Sequence, residues 1–242
     1  MIRRLGGAVQ FLTVLPIRAG DVSLADSAVF FPLVGAALGA AASGVYWLLA
    51  HLLPTPLPSM FALLFLVVAT GGLHEDGLAD VADAFRAGRA PETIFAILKD
   101  SRIGTFGALA LIFSILIRWQ ALNALGAQST IALIVSEAVP RTALVVLSHI
   151  AQPAGTGLGC ALGVGLSRKV TLLAAAQGVG IAFLAEPRLA CALLVGTAAI
   201  VWVARSYFHL RIGGVTGDCL GAAGQLAECY CLLTFVCARS IS

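Results

Sequence analysis

The chain has 242 residues, of which 60% are hydrophobic and 11% are charged, with a formal net charge of +3 and a mean hydropathy of +0.98. Soluble domains carry about 25% charged residues, so this composition excludes a disordered chain, a disulfide scaffold and an ordinary soluble enzyme. The small net charge argues against a nucleic-acid partner. The sequence therefore predicts a polytopic protein of the lipid bilayer.

Seven apolar segments approach or exceed the length of about 20 residues that a membrane-spanning helix needs. In chain order they cover residues 29–53, 57–73, 103–125, 129–150, 170–185, 189–204 and 220–236. The N-terminus begins with basic residues, and the apolar run that follows them is short. We therefore expect an interfacial helix there rather than a signal peptide. The prediction is one all-α domain over residues 1–242: a bundle of about seven transmembrane helices, an N-terminal interfacial helix and short cytoplasmic helices.

The basic residues favour one orientation of this bundle. If the N-terminus is cytoplasmic, the inside segments hold most of the Lys and Arg residues and the outside segments hold only Arg188 and Arg239. Cytoplasmic loops of membrane proteins carry the excess of positive charge. The loops around Arg102, Arg168 and Arg211 are therefore predicted to be cytoplasmic.

Residues 74–102 stand out as a charged segment in an apolar chain. Residues 27–74 contain no Asp, Glu, Lys or Arg, whereas residues 75–102 contain many, among them four acidic residues between positions 75 and 83. Such a segment cannot face hydrocarbon. We interpret residues 74–102 as a cytoplasmic, Asp-rich catalytic loop or helix within the domain.

Asp76, Asp80 and Asp83 have the spacing of one helical stripe. At about 100° per residue they fall within an arc of about 60°. Carboxylates at this spacing repel one another, and a bound divalent cation would remove the repulsion. The pattern favours a Mg²⁺ site, since Mg²⁺ takes oxygen ligands and keeps substrate phosphates in its shell. The alternative is a solvated acidic helix face without a ligand.

Two further clusters lie on the same predicted side. In the first cluster, Arg102 could clamp a phosphate, and Asp100 could complete a metal shell or act as a base. Ser101 could cap the next helix. The alternative is that Arg102 only extends to the membrane surface and Ser101 only caps the helix. Thr216-Gly217-Asp218 opens an apolar helix, which suits phosphate binding through backbone N–H groups. Elsewhere, Glu137 and Arg141 form an i, i+4 pair inside a predicted span.

Together these motifs resemble the cobalamin synthase family, also called adenosylcobinamide-GDP ribazoletransferases. The resemblance rests on residues 71–83, on 99–104 and on 216–222, and also on Phe11-Leu12-Thr13-Val14-Leu15-Pro16 and residues 31–35. Glu75 departs from it, because an apolar residue is expected there. The resemblance implies an Mg²⁺-dependent enzyme of the prokaryotic inner membrane with a cytoplasmic active site. It also implies that the cobinamide-phosphate part of adenosylcobinamide-GDP is transferred to α-ribazole, or its 5′-phosphate, with release of GMP.

The expected site combines the residues of these clusters. The metal ligands are Asp76, Asp80 and Asp83, which are also catalytic together with Asp100. Asp83 or Asp100 would accept the proton of the attacking hydroxyl. The expected substrate-binding residues are His74, Ser101, Arg102, Gly104, Arg141, Thr216, Gly217 and Asp218.

Two other functions also fit parts of the sequence. A membrane phosphatidyltransferase or prenyltransferase would use Asp-rich helices to bind Mg²⁺ and a diphosphate. A transporter would use intramembrane charges such as Glu137 and Arg141, although no internal repeat is evident. Small-residue faces, Gly35-x-x-x-Gly39 and Gly159-x-x-x-Gly163, would allow helix–helix contact and hence a homo-oligomer.

Overall fold

The fold is known from a computed structural model that describes residues 1–87 and 90–241. Twelve α-helices occur within these ranges, and no β-strand does. Their bounds are α1 Ile2–Leu12, α2 Leu24–Ser27, α3 Phe31–Ala50, α4 Leu57–Thr70, α5 Leu73–Ala87, α6 Pro91–Leu98, α7 Thr105–Leu125, α8 Ser129–Ile150, α9 Leu158–Gly165, α10 Arg168–Ala185, α11 Pro187–Ile212 and α12 Gly217–Ile241. The all-α membrane bundle predicted from the sequence is confirmed.

Each of the seven predicted apolar segments contains a helix. In the described ranges, five continuous helical segments are long and apolar enough to cross a membrane, or six if α4 and α5 form one broken span. One of the five, Thr105–Ile150, comprises both α7 and α8, which meet at a 3₁₀ turn at Gly126–Gln128. With 21 and 22 residues, each of these two helices is long enough to cross the membrane by itself. The predicted span 57–73 is shortened because α4 ends at Thr70.

Helix α8 lies at the centre of the bundle. Most of its residues are buried, and it packs against α3, α10, α11 and α12. The contact with α3 is close at Gly35 and Gly39, where a Cβ atom would collide with the backbone of Glu137 and Leu133 respectively. The Gly35/Gly39 face therefore serves a contact within the chain. Helices α10 and α11, by contrast, leave most of their residues unburied, as lipid-facing helices do.

A sharp turn at Gly71-Gly72 separates α4 from α5. Both glycines have positive φ angles, 65° and 68°, which residues with a Cβ atom rarely adopt. The two helices are bent by 86° relative to each other, so the chain leaves the direction of α4 at this point. The turn directs the acidic helix α5 across the end of α4.

Both ends of α5 are anchored to other helices. Near its start, Glu75 forms an ion pair with Arg118 of α7 at 2.9 Å. Near its end, the guanidinium of Arg211 from α11 donates a hydrogen bond of 3.0 Å to the carbonyl oxygen of Phe85 and lies over the Phe85 ring. These contacts determine which face of α5 is presented to the neighbouring loops.

Candidate functional site

Helices α5 and α12 approach each other closely through glycine. A Cβ atom on Gly77 would lie 2.8 Å from the carbonyl oxygen of Asp218, and one on Gly221 would lie 3.4 Å from the Cα atom of Gly77. Real Cβ atoms do not approach backbone atoms as closely as the first distance requires, so position 77 accommodates only glycine without movement of α12. The close approach places Asp218 beside the acidic face of α5.

The carboxylates of Asp76, Asp80 and Asp218 therefore form one acidic cluster across the two helices. Asp80 is partly buried, and this burial, together with the charges of Asp76, Asp218 and Asp83, raises its pKa to about 6. The cluster has a surplus of negative charge that a cation would offset. Among the described residues, no three His, Cys, Asp or Glu side chains converge closely enough to form a metal-binding group by themselves.

Asp83, the third member of the predicted stripe, faces a different partner. Its Oδ2 atom accepts a hydrogen bond of 2.7 Å from the N–H of Gly104, and its Oδ1 atom accepts one of 2.9 Å from the N–H of Gly107. These N–H groups belong to the N-cap residue of α7 and to its first turn, and they have no partner within that helix. Asp83 thus caps α7 from a distance of 21 residues along the chain.

The loop before α7 carries the ion pair of Asp100 and Arg102. The Arg102 Nη2 atom lies 2.6 Å from Asp100 Oδ2, and the Arg102 backbone N–H also donates to this carboxylate. The hydrogen bonds from the Arg102 side chain and backbone lower the pKa of Asp100 to about 2. Asp100 is therefore ionised at neutral pH and orients the guanidinium. Ser101 lies beside it but makes no side-chain cap to α7.

Two cavities open beside the acidic cluster. The first cavity, of about 640 Å³, lies between the start of α12, the glycine-rich stretch 155–159 and helices α5 and α6. It is lined by Phe11, Phe31, Leu73, His74, Asp76, Phe95, Leu98, Lys99, Leu144, Gly155, Thr156, Gly157, Gly159, Leu162, Thr216, Gly217, Asp218, Leu220 and Gly221.

The second cavity, of about 570 Å³, lies between the α4–α5 turn and the start of α7. It is lined by Phe11, Thr70, Gly71, Gly72, Leu73, Asp76, Ala79, Asp80, Ser101, Arg102, Ile103 and Leu111. Phe11, Leu73 and Asp76 line both cavities. Among the described residues, Asp76 is thus the one titratable residue that lines both cavities.

A buried ionic cluster lies behind α5, inside the bundle. Arg118 pairs with Glu75 at 2.9 Å and with Glu228 at 3.1 Å, and the side chain of Gln225 donates to both carboxylates. Glu75, which departs from the family resemblance, therefore faces the bundle interior rather than the acidic cluster. Its carboxylate contributes to the anchoring of α5.

Arg141 belongs to the same interior region. It forms an ion pair of 2.7 Å with Glu137, as their i, i+4 spacing predicted, and both residues are almost fully buried. Arg141 borders His74 and Glu75 in this region but lines neither of the two cavities. His74 is buried and lines the first cavity.

The structure thus brings together most of the predicted residues and separates a few. Asp76, Asp80, Ser101, Arg102, Thr216, Gly217 and Asp218 line the cavities, and Gly104 lies at the cap formed by Asp83. Sequence reasoning missed the aromatic lining and the stretch 155–159. The glycines at 155, 157 and 159 were the available signal for that stretch. A backbone pairing of Ala154 with Val215 at 2.8 Å connects it to the start of α12.

Known proteins match this chain over nearly its whole length. The sequence model of the family described as cobalamin-5-phosphate synthase matches residues 4–236. The chain is 35% identical over 243 residues to the adenosylcobinamide-GDP ribazoletransferase of Geotalea daltonii, with 98% of each chain covered.

Two further relatives have the same name. The chain is 38% identical to that of Ralstonia pickettii, with 91% of this chain and 90% of the relative covered, and 35% identical to that of Shewanella denitrificans, with 93% and 90% covered. No solved structure matches the chain. The family match covers nearly all of the sequence, and the chain therefore belongs to the cobalamin-5-phosphate synthase family.

Proposed function

We propose that the protein transfers the cobinamide-phosphate group of adenosylcobinamide-GDP to α-ribazole or α-ribazole 5′-phosphate. A ribose hydroxyl oxygen of the acceptor forms a bond to the phosphorus that carries cobinamide. The bond from that phosphorus to the GMP oxygen breaks, GMP leaves with the electron pair, and the hydroxyl proton passes to a base. The products are GMP and adenosylcobalamin or its 5′-phosphate.

The observation that carries this proposal is the acidic cluster between two adjoining cavities. Asp76 lines both cavities, Asp218 lines the first, and Asp80 and Arg102 line the second. A reaction between two substrates needs two neighbouring sites that meet at the reacting atoms. A diphosphate needs cationic groups around it, and Arg102 offers one that Asp100 holds in place at 2.6 Å.

Mg²⁺ fits the donor set of this cluster. Asp76 and Asp80 would hold the ion, since Mg²⁺ is usually bound by one or two carboxylates with waters and substrate phosphates in its remaining positions. The pKa of Asp80 is raised first by burial and then by the neighbouring carboxylates, and a cation would offset both effects. When bound, Mg²⁺ would neutralise charge on the diphosphate and the leaving GMP.

The remaining acidic residues take separate roles in the proposal. Both oxygens of Asp83 accept N–H groups of α7, and Asp100 is paired with Arg102. We therefore assign the hydroxyl proton to Asp218, which lines the first cavity and accepts a long hydrogen bond of 3.4 Å from Thr216. Arg102 orients the diphosphate, and Asp83 maintains the loop from which Arg102 projects.

We further propose that the site faces the cytoplasm from the inner membrane. The loops and helix ends that line the cavities include α1, residues 70–80, residues 98–103, residues 155–159 and the start of α12. The distribution of Lys and Arg assigns the N-terminus and the loops around Arg102, Arg168 and Arg211 to one side. The convergence of the cavity-lining segments at one site supports the assignment of the N-terminus and these three loops to the same face of the membrane.

The first experiment is GMP release by purified protein in detergent or liposomes, with adenosylcobinamide-GDP and α-ribazole as substrates. We expect GMP and a cobalamin product in Mg²⁺ and neither in EDTA. Asp80→Asn should remain folded and inserted but lose turnover by at least about 100-fold. Release of product from a CDP-alcohol or a prenyl diphosphate instead would support the rival transferase function.

A further inference from the structure

The two cavities differ in the chemistry of their linings. In the first, large apolar side chains come from α3, α6 and α9, namely Phe31, Phe95, Leu98 and Leu162. In the second, the side chains beyond the shared residues include Asp80, Ser101 and Arg102. The first cavity therefore has the larger apolar aromatic wall, which suits a neutral apolar group.

Most of the polar residues that line the first cavity lie at the contact of α5 with α12; the others are Lys99, which is exposed at the end of α6, and Thr156, which lies in the stretch 155–159. Asp76 lies on α5 and Thr216 and Asp218 lie at the start of α12, where these helices meet at Gly77 and Gly221. The aromatic residues Phe31 and Phe95 come from other helices. These two parts of the lining would match a ligand that has one polar end and one apolar aromatic end. The polar end would lie at the α5–α12 contact.

We propose that the first cavity binds the acceptor nucleoside, with its bicyclic aromatic base among Phe31, Phe95 and Leu98 and its ribose at Asp76 and Asp218. This assignment rests on the proposed function and specifies which cavity binds which substrate. The diphosphate of the donor then occupies the second cavity beside Arg102. A cavity of about 640 Å³ lies within the usual range of small-molecule sites.

Guanine of the donor is the competing occupant of the first cavity. Its ring presents several hydrogen-bond donors and acceptors, and each would need a partner when buried. The side chains of Phe31, Phe95 and Leu98 provide none, and Lys99, the polar residue next to Leu98, is exposed to solvent. The base of ribazole has far fewer polar atoms, so burial among these residues costs less. The lining therefore favours the acceptor base over guanine.

Steady-state kinetics of Phe95→Ala tests this assignment, because Phe95 is only partly buried and its loss enlarges the cavity. We expect the KM for α-ribazole to rise by at least about 5-fold, the loss typical of removing one aromatic ring from a base. The KM for adenosylcobinamide-GDP should change by less than about 2-fold. Leu98→Trp, which fills the same cavity, should also raise the KM for α-ribazole and leave the donor KM unchanged.

The matched control is Leu111→Ala, which removes an apolar side chain from the second cavity. It should leave the KM for α-ribazole within about 2-fold of wild type. All variants are first compared with wild type by thermal unfolding in detergent. A rise in the donor KM with an unchanged acceptor KM in both Phe95→Ala and Leu98→Trp would assign the first cavity to guanosine and overturn the inference.

Direct binding separates this inference from the proposed function. Binding of α-ribazole alone is followed through its own fluorescence, in wild type and in Phe95→Ala. If wild type makes no GMP but binds α-ribazole at least about 5-fold more tightly than Phe95→Ala, the proposed function fails and the cavity assignment stands. If wild type turns over and Phe95→Ala binds α-ribazole equally well, the function stands and the assignment is wrong. Absence of both turnover and α-ribazole binding in wild type overturns both.

Discussion

The carboxylate of Asp83 accepts a hydrogen bond of 2.7 Å from the backbone N–H of Gly104 and joins the acidic helix to the first turn of α7. Glycine is needed for this approach, because a Cβ atom on Gly104 would lie 2.5 Å from Asp83 Oδ1. The contact couples α5 to the loop that carries Arg102. Asp83 therefore organises the site by connecting two of its elements.

Asp83→Ala should destabilise the protein without a large change in Mg²⁺ dependence. Loss of a helix cap costs about 1 to 2 kcal/mol, and here two N–H groups lose their acceptor. Thermal unfolding in detergent measures the first effect, and a Mg²⁺ titration of GMP release measures the second. A fall in Mg²⁺ affinity as large as that of Asp80→Asn, with unchanged stability, would instead place Asp83 among the metal ligands.

Asp100→Asn should alter substrate binding but not the pH profile of turnover. The lowered pKa of Asp100, about 2, means that its ion pair with Arg102 is present above the ordinary aspartate pKa and is lost as the pH falls towards 2. The residue therefore does not titrate between about pH 5 and 9. We expect the donor KM to rise by no more than about 5-fold. Loss of the acidic limb of the kcat profile in this variant would make Asp100 the base.

Gly77→Ala should disrupt the alignment of α5 and α12. The added methyl group would press on the backbone of Asp218, and overpacking of this kind costs about 1 to 3 kcal/mol. Because misplacement of catalytic groups is costly, we expect turnover to fall by at least about 10-fold. Gly180→Ala is the control, since a Cβ atom on Gly180 would meet nothing within 4 Å. Equal activity of the two variants would contradict the role of the close approach.

Arg118→Met should be much more destabilising than Glu75→Gln. Arg118 neutralises Glu75 and Glu228 inside the bundle, and removal of one partner from a buried ion pair costs about 3 to 5 kcal/mol. The interior region holds three carboxylates and two guanidiniums, so glutamine at position 75 removes the surplus negative charge. We expect Glu75→Gln to cost less than about 1 kcal/mol. The thermal unfolding of both variants in one detergent makes the comparison, and a reversed order would contradict it.

Much of the site was predictable from sequence because its residues lie in short local motifs. The spacing of Asp76 and Asp80 requires only helical geometry to place both on one face. The spacing of Asp83 places it on the same stripe, but its partner, the start of α7, is set by packing. The same holds for Glu75, whose ion pair with Arg118 joins positions far apart in sequence. The aromatic wall of the first cavity was missed because Phe11 and Phe31, although they belong to the motifs that resemble the family, and Phe95 have no sequence pattern that distinguishes a cavity-lining aromatic residue from a core residue.

The sequence by itself determined the membrane bundle, since apolar length and the absence of charge decide which segments form buried or lipid-facing helices. It also determined the acidic identity of α5 and the family to which the chain belongs. Only the tertiary structure decided which carboxylates face each other. Asp218 joins Asp76 and Asp80 because glycines at 77 and 221 let two helices approach across a long separation in sequence. Contacts of this kind depend on how whole helices pack, and no local pattern encodes them.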